Sequence, residues 1–268
     1  MEDSRARTTR LLLATRFIRS VGQGALAVDF TLYLRALNWS AVAISAVLSA
    51  ALLVGVVLTL VAGPLSDRGG RRRFLLVYEA AQCLAGIAAL LSGQAAIVWA
   101  SAMVGGFGRG GNGAAGPFAP VEQAWLAQSV SPSRRGPVYS LNAALGFLGN
   151  AAGAVIAATP SRLATMLPGA VAFRPLFLLS AVGSLLCCLL ILRTPDSEAV
   201  AVQDNQVAEP AAPEIQRQEN RLVLRLMIAN VLNGAGVGAT GPLMAYWFAV
   251  RFGQGDRPRS DPCWRRAS

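Results

Sequence analysis

Gly63-Pro64-Leu65-Ser66-Asp67-Arg68-Gly69-Gly70-Arg71-Arg72-Arg73 is the densest run of positive charge in the chain, and it lies between two apolar runs. The run before it, Ala41 to Ala62, holds 22 residues and no charge. At about 1.5 Å per helical residue it reaches ~33 Å, against a bilayer hydrocarbon core of about 30 Å. The basic stretch therefore reads as a short cytoplasmic turn between two membrane helices.

Composition agrees with that reading. The chain is 54% hydrophobic and only 14% charged, too apolar for a soluble domain. Its net charge of +10 does not point to nucleic acid, because the arginines fall in loops and span ends rather than on one soluble face. Lysine and histidine are absent, so all 24 basic residues are arginines, which leaves carboxylates as the proton carriers. Cys83, Cys187 and Cys188 lie inside apolar runs and Cys263 stands in the tail, with no spacing that suggests a disulfide framework or zinc site. No nucleophile with a base, metal cluster or phosphate-cradling loop can be assembled, so neither an enzyme nor a cofactor is expected.

The spacing within the basic stretch is more specific than its charge. Gly63, Leu65, Asp67, Arg68, Gly70, Arg71, Arg72 and Leu75 reproduce G-x-L-x-D-R-x-G-R-R-x-x-L. This resembles the loop between helices 2 and 3 of the major facilitator superfamily of secondary transporters. A cytoplasmic loop collects arginine in any case; that rule does not account for Gly, Asp and Gly at fixed offsets. The resemblance implies an all-α polytopic membrane protein, with a six-helix N-terminal bundle joined by a long cytoplasmic loop to a second half.

Seven spans can be placed: about Leu12 to Leu34, Ala41 to Ala62, Phe74 to Leu91, Ala96 to Leu126, Val138 to Ala158, Phe173 to Leu192 and Leu222 to Val250. Arg5, Arg7 and Arg10 before the first run resemble a secretory signal, but Arg16, Arg19 and Asp29 interrupt that run, so an uncleaved helix is expected. With the N-terminus cytoplasmic, the inner segments hold most of the arginines and the outer loops between the first six spans only Arg35, Arg162 and Arg174. The domains are then 1–193, a six-helix half; 194–220, an acidic linker with Pro210 and Pro213; 221–253, the first helix of a second half; and 254–268, a polar tail. That arginine- and proline-rich tail lacks a further apolar run, so a truncated transporter is expected, whether natural or through a frameshift. Gln23-Gly24-Ala25 has a faint echo in Asn233-Gly234-Ala235 of the seventh span, as repeated halves would give.

Four groups are candidate functional residues. Asp29 lies inside span one, five residues before its end at Leu34; a carboxylate at the centre of a span costs on the order of 2.5 to 3.5 kcal/mol to insert and normally faces a cavity, and the alternative is a helix-end acid beside Arg35. Arg109-Gly110-Gly111-Asn112-Gly113 resembles the family's R-x-x-Q-G motif in helix 4, with Asn112 for Gln. The resemblance implies that Arg109 faces the central cavity; a snorkelling arginine on a glycine-packed helix is the plainer reading. Asp29 and Arg109, with Gln23 and Asn112, form the expected substrate and proton pathway.

Glu122, with Arg134 and Arg135, resembles an acidic helix end followed by a basic turn, a cytoplasmic charge network in which Glu122 pairs with Arg71 or Arg72. Glu79 and Gln82, one turn apart in span three, are minor candidates. Gly149 and Gly153 in span five read as a close helix contact, and Gly116, Pro117 and Pro120 as kink positions in span four. The expected function is ion-coupled transport of a small molecule, with protons as the coupling ion, across a bacterial inner membrane. The alternative is an inactive or accessory half that needs self-association or a second chain. The expected partners are the lipid bilayer and the substrate, with no nucleic acid.

Overall fold

A computed structural model describes residues 2–108, 116, 118–163, 166–167, 169–194 and nine positions from Arg221 to Arg251. The described residues are helical, without a strand: α1 (Glu2–Ala36), α2 (Ala41–Gly69), α3 (Arg71–Leu91), α4 (Ala95–Gly105), α5 (Phe118–Ser129), α6 (Arg135–Ile156), the short α7 (Thr159–Leu163) and α8 (Arg174–Leu192). Four segments are long and apolar enough to cross a membrane: Ala41–Gly69, Arg71–Leu91, Pro132–Leu163 and Gly169–Leu192. This is an all-α polytopic membrane protein. The nine positions between Arg221 and Arg251 are helical and exposed; the linker, the tail and the Asn233-Gly234-Ala235 echo lie outside the described residues.

Two expectations change. The basic stretch is not a turn along its length: α2 continues through Pro64 to Gly69 and α3 starts at Arg71. The whole reversal falls on Gly70, whose φ of 86° lies in the left-handed region that a side chain would disfavour. Span four is not one helix. α4 stops at Gly105, and Gly106 and Gly108 have φ of 65° and 76°. Glycine there removes the steric penalty on leaving the helix, so apolar length alone does not carry the helix through. Pro120 then stands in the first turn of α5, where a missing N–H costs nothing.

α1 packs chiefly on α6 and α8, and α3 on α8. The α1–α6 contact is backbone on backbone. A Cβ built on Gly24 would lie 2.4 Å from the Asn150 carbonyl oxygen, and one on Gly153 would lie 2.2 Å from that of Val21. Gly149 likewise faces Phe17 and Ser20. Small residues let these helices approach as a membrane interior favours, which is the contact expected of Gly149 and Gly153.

The buried apolar residues form two clusters. One joins Phe30, Tyr33, Phe107 and Phe177, with Tyr33 and Phe177 ring centroids 4.8 Å apart. The other joins Leu12, Leu75, Tyr78, Phe118, Trp125 and Ile191. Between the clusters α1, α3 and α8 each bury polar residues: Arg16 and Arg19, Glu79 and Gln82, and Ser184. A charged layer therefore divides the core.

Candidate functional site

At the centre of that layer stands Arg19 of α1. Its Nε donates to Glu79 Oε1 of α3 at 2.8 Å and its Nη1 to Glu122 Oε2 of α5 at 2.7 Å. All three side chains are 2% exposed or less. The guanidinium also lies 3.8 Å from the centre of the Phe118 ring, which adds a cation–π contact. Arg16, one turn earlier and also buried, abuts Gly146 of α6. Two arginines and two glutamates make the layer neutral, the condition under which charge survives away from water.

A small cavity of about 10 Å³, room for one water, opens beside this layer. Arg19, Gln23, Gln82, Ser180 and Ser184 line it, together with the Gly105–Phe107 break of α4. Gln82 Nε2 donates to the Gly105 carbonyl at 3.1 Å and so satisfies an acceptor that the end of α4 releases. Of the expected pathway residues, Gln23 is thus grouped with Arg19 and Gln82.

Asp29 is buried, 4% exposed, and its Oδ2 has no hydrogen-bond partner among the described residues. Ten residues of helix separate it from Arg19, ~15 Å along the axis and ~80° about it, so Asp29 and Arg19 serve different levels. Arg109 and Asn112 lie outside the described residues. Gly108, the residue before Arg109, packs on the ring of Phe30, the residue after Asp29.

The expected network of Glu122 with the cytoplasmic arginines is not formed. Glu122 turns inward to Arg19, because α5 buries that face and a buried carboxylate requires a cation. Arg71 Nη1 instead donates to the Ala124 carbonyl at 3.0 Å and its Nη2 to Asp67 Oδ1 at 3.2 Å. Arg135 Nε donates to the Ala127 carbonyl at 3.2 Å, and Arg72 Nη2 to the Leu192 carbonyl at 2.6 Å. These arginines thus serve carbonyls toward the C-terminal ends of α5 and α8, where the helix dipole favours a cation. Arg68 is exposed, and a Cβ on Gly63 would meet nothing within 4 Å.

Residues 12–255 match the family model of the Major Facilitator Superfamily. The chain belongs to that superfamily. Within it, one similar protein is an uncharacterized MFS-type transporter, YdeE, of Escherichia coli K12, 31% identical over 144 residues, 53% of this chain and 35% of that protein. The chain is also similar to an uncharacterized membrane protein, YJR124C, of Saccharomyces cerevisiae, 28% identical over 151 residues, 56% of this chain and 34% of that protein. The matched segment spans about a third of the length of these curated relatives. Membership accounts for the Gly63 to Arg72 pattern; it did not direct attention to Arg19. The signal for Arg19 was a positive charge in span one and two negative charges, Glu79 and Glu122, in spans three and four.

Proposed function

We propose that this superfamily member works as a secondary active transporter that moves a small molecule across a bacterial inner membrane, coupled to an ion gradient carried by protons. The observation that carries the reading is Asp29: a carboxylate buried within α1 with an unpartnered oxygen, at a depth where acids mark a pathway. Arg109 is its proposed partner. The contact of Gly108 with Phe30 supports that pairing, since each is one residue away from a member of the pair. A permanent cation beside a carboxylate favours the ionised acid, while desolvation favours the neutral one, so a change in hydration during alternating access would load and release a proton.

The test is accumulation of a panel of labelled small molecules by cells expressing the protein, with and without a protonophore. Transport should collapse with the protonophore, with Asp29→Asn and with Arg109→Ala. Wild-type transport in both variants would overturn the pairing.

A second reading is an accessory half that acts only with a partner chain or a second copy. The exposed Asp67 side chain, held by Arg71 alone among the described ion pairs, and the open space over Gly63 favour it. Native gel mass distinguishes the two, because the second reading requires an assembly for any transport at all.

A further inference from the structure

α3 and α8 lie side by side in opposite directions. Arg72 of α3 bonds the Leu192 carbonyl at the end of α8, Cys188 Sγ lies 3.9 Å from the Leu76 carbonyl, and Gly86 faces Ala181. Their outward faces are two apolar stripes. On α3, Val77, Leu84, Ile87 and Leu91 are exposed at alternating steps of three and four residues, with Ala80 completing the row. On α8, Leu178, Val182, Leu185, Leu189 and Leu192 follow the same period.

Each stripe ends in an exposed arginine at the same end. Arg73 stands one helical turn before Val77, and Arg193 directly follows Leu192. The Arg72–Leu192 bond brings those two ends together. Neither Arg73 nor Arg193 is in any of the ion pairs among the described residues, and Glu79 on α3 is spent inward on Arg19. Two guanidiniums at the cytoplasmic boundary, over an apolar wall ~27 Å tall from residue 73 to 91, match a phosphate headgroup above acyl chains.

We propose that this α3–α8 wall binds an anionic phospholipid of the cytoplasmic leaflet, with Arg73 and Arg193 on its phosphate and the two stripes against its chains. The apolar faces of α2 and α6 also end near exposed arginines, Arg68 and Arg134; the α3–α8 wall differs in carrying one exposed arginine from each of two helices whose ends the Arg72–Leu192 bond ties together.

The experiment is native mass spectrometry of the full chain in mild detergent, with phosphatidylglycerol or phosphatidylcholine of identical acyl chains added in equal amounts. The wild-type chain should retain phosphatidylglycerol preferentially. The preference should fall about fivefold in Arg73→Gln and in Arg193→Gln, and approach parity in the double variant. R5Q/R7Q, which removes the same charge from the N-terminal end of α1, should keep it, as should R73K/R193K. Equal retention of the two lipids by the wild-type chain would overturn the proposal, as would a loss in R5Q/R7Q as large as in R73Q/R193Q. A dimer that a Leu185→Arg variant dissolves would assign the wall to a second copy and also overturn it. The single variants keep the test decisive if the double variant does not fold.

Discussion

Arg19 Nη1 and Glu122 Oε2 lie 2.7 Å apart, although 103 positions separate them in the chain. With Glu79 they tie α1, α3 and α5 into one layer between two apolar clusters. Removing the shared cation leaves two buried carboxylates without it, at a cost of about 3–5 kcal/mol. Arg19→Met should therefore lose most of its folded yield, measured by size-exclusion profile and thermal unfolding in detergent. R19M/E79Q should recover much of that loss, because Arg16 and Glu122 then leave the layer neutral. A double variant no better than Arg19→Met would deny that charge compensation holds the layer.

Gly153 and Gly183 make a matched pair of tests. A Cβ on Gly153 would meet the Val21 oxygen at 2.2 Å, whereas one on Gly183 finds Ile18 no nearer than 3.7 Å. Gly153→Ala should cost about 1–3 kcal/mol by forcing α1 and α6 apart. Gly183→Ala should change stability by less than about 0.5 kcal/mol. The comparison is a pair of thermal unfolding curves, and equal midpoints would refute the backbone contact.

Gln82→Leu removes the donor to the Gly105 carbonyl at the end of α4. A buried acceptor left unsatisfied costs about 1–3 kcal/mol. The thermal midpoint should fall in Gln82→Leu and remain near wild type in Gln82→Glu measured at low pH, where the protonated acid can still donate.

Asp67 tests whether the loop pattern serves folding or transport. Its bond to Arg71 is exposed, so Asp67→Asn should shift stability by no more than about 0.5 kcal/mol. Transport should nonetheless fall at least tenfold if the carboxylate meets a second half when the cytoplasmic side closes. Full transport in a stable Asp67→Asn variant would remove it from the mechanism.

Asp29→Asn should divide the two properties in the same way. The substitution removes a carboxylate with an unpartnered oxygen from the interior, so the thermal midpoint should not fall. A stable protein with transport lost is the expected pair of readings. A large drop in midpoint would make Asp29 a structural residue.

The candidate site was only partly legible in advance. Asp29 stood out because an acid among apolar residues has one plain physical meaning in a membrane. Glu122 was misread because its nearest cations in sequence-based topology, Arg71 and Arg72, look available. In the fold they are occupied by Asp67 and by the carbonyls of Ala124 and Leu192. Span four was misread for a different reason: hydropathy measures length and polarity, while Gly106 and Gly108 act through backbone conformation.

The sequence alone determined that the chain is an all-α membrane protein of transporter type. Apolar run length, arginine placement and the Gly63 to Leu75 pattern are local properties, and the bilayer imposes helices on any such run. Tertiary structure alone decided the partners of the buried charges, the backbone contact of Gly24 with Gly153 and its neighbours, and the bond of Arg72 to the Leu192 carbonyl that joins the ends of α3 and α8. Those depend on how helices rotate and cross, and that is set by packing among residues distant in the chain rather than by any local spacing.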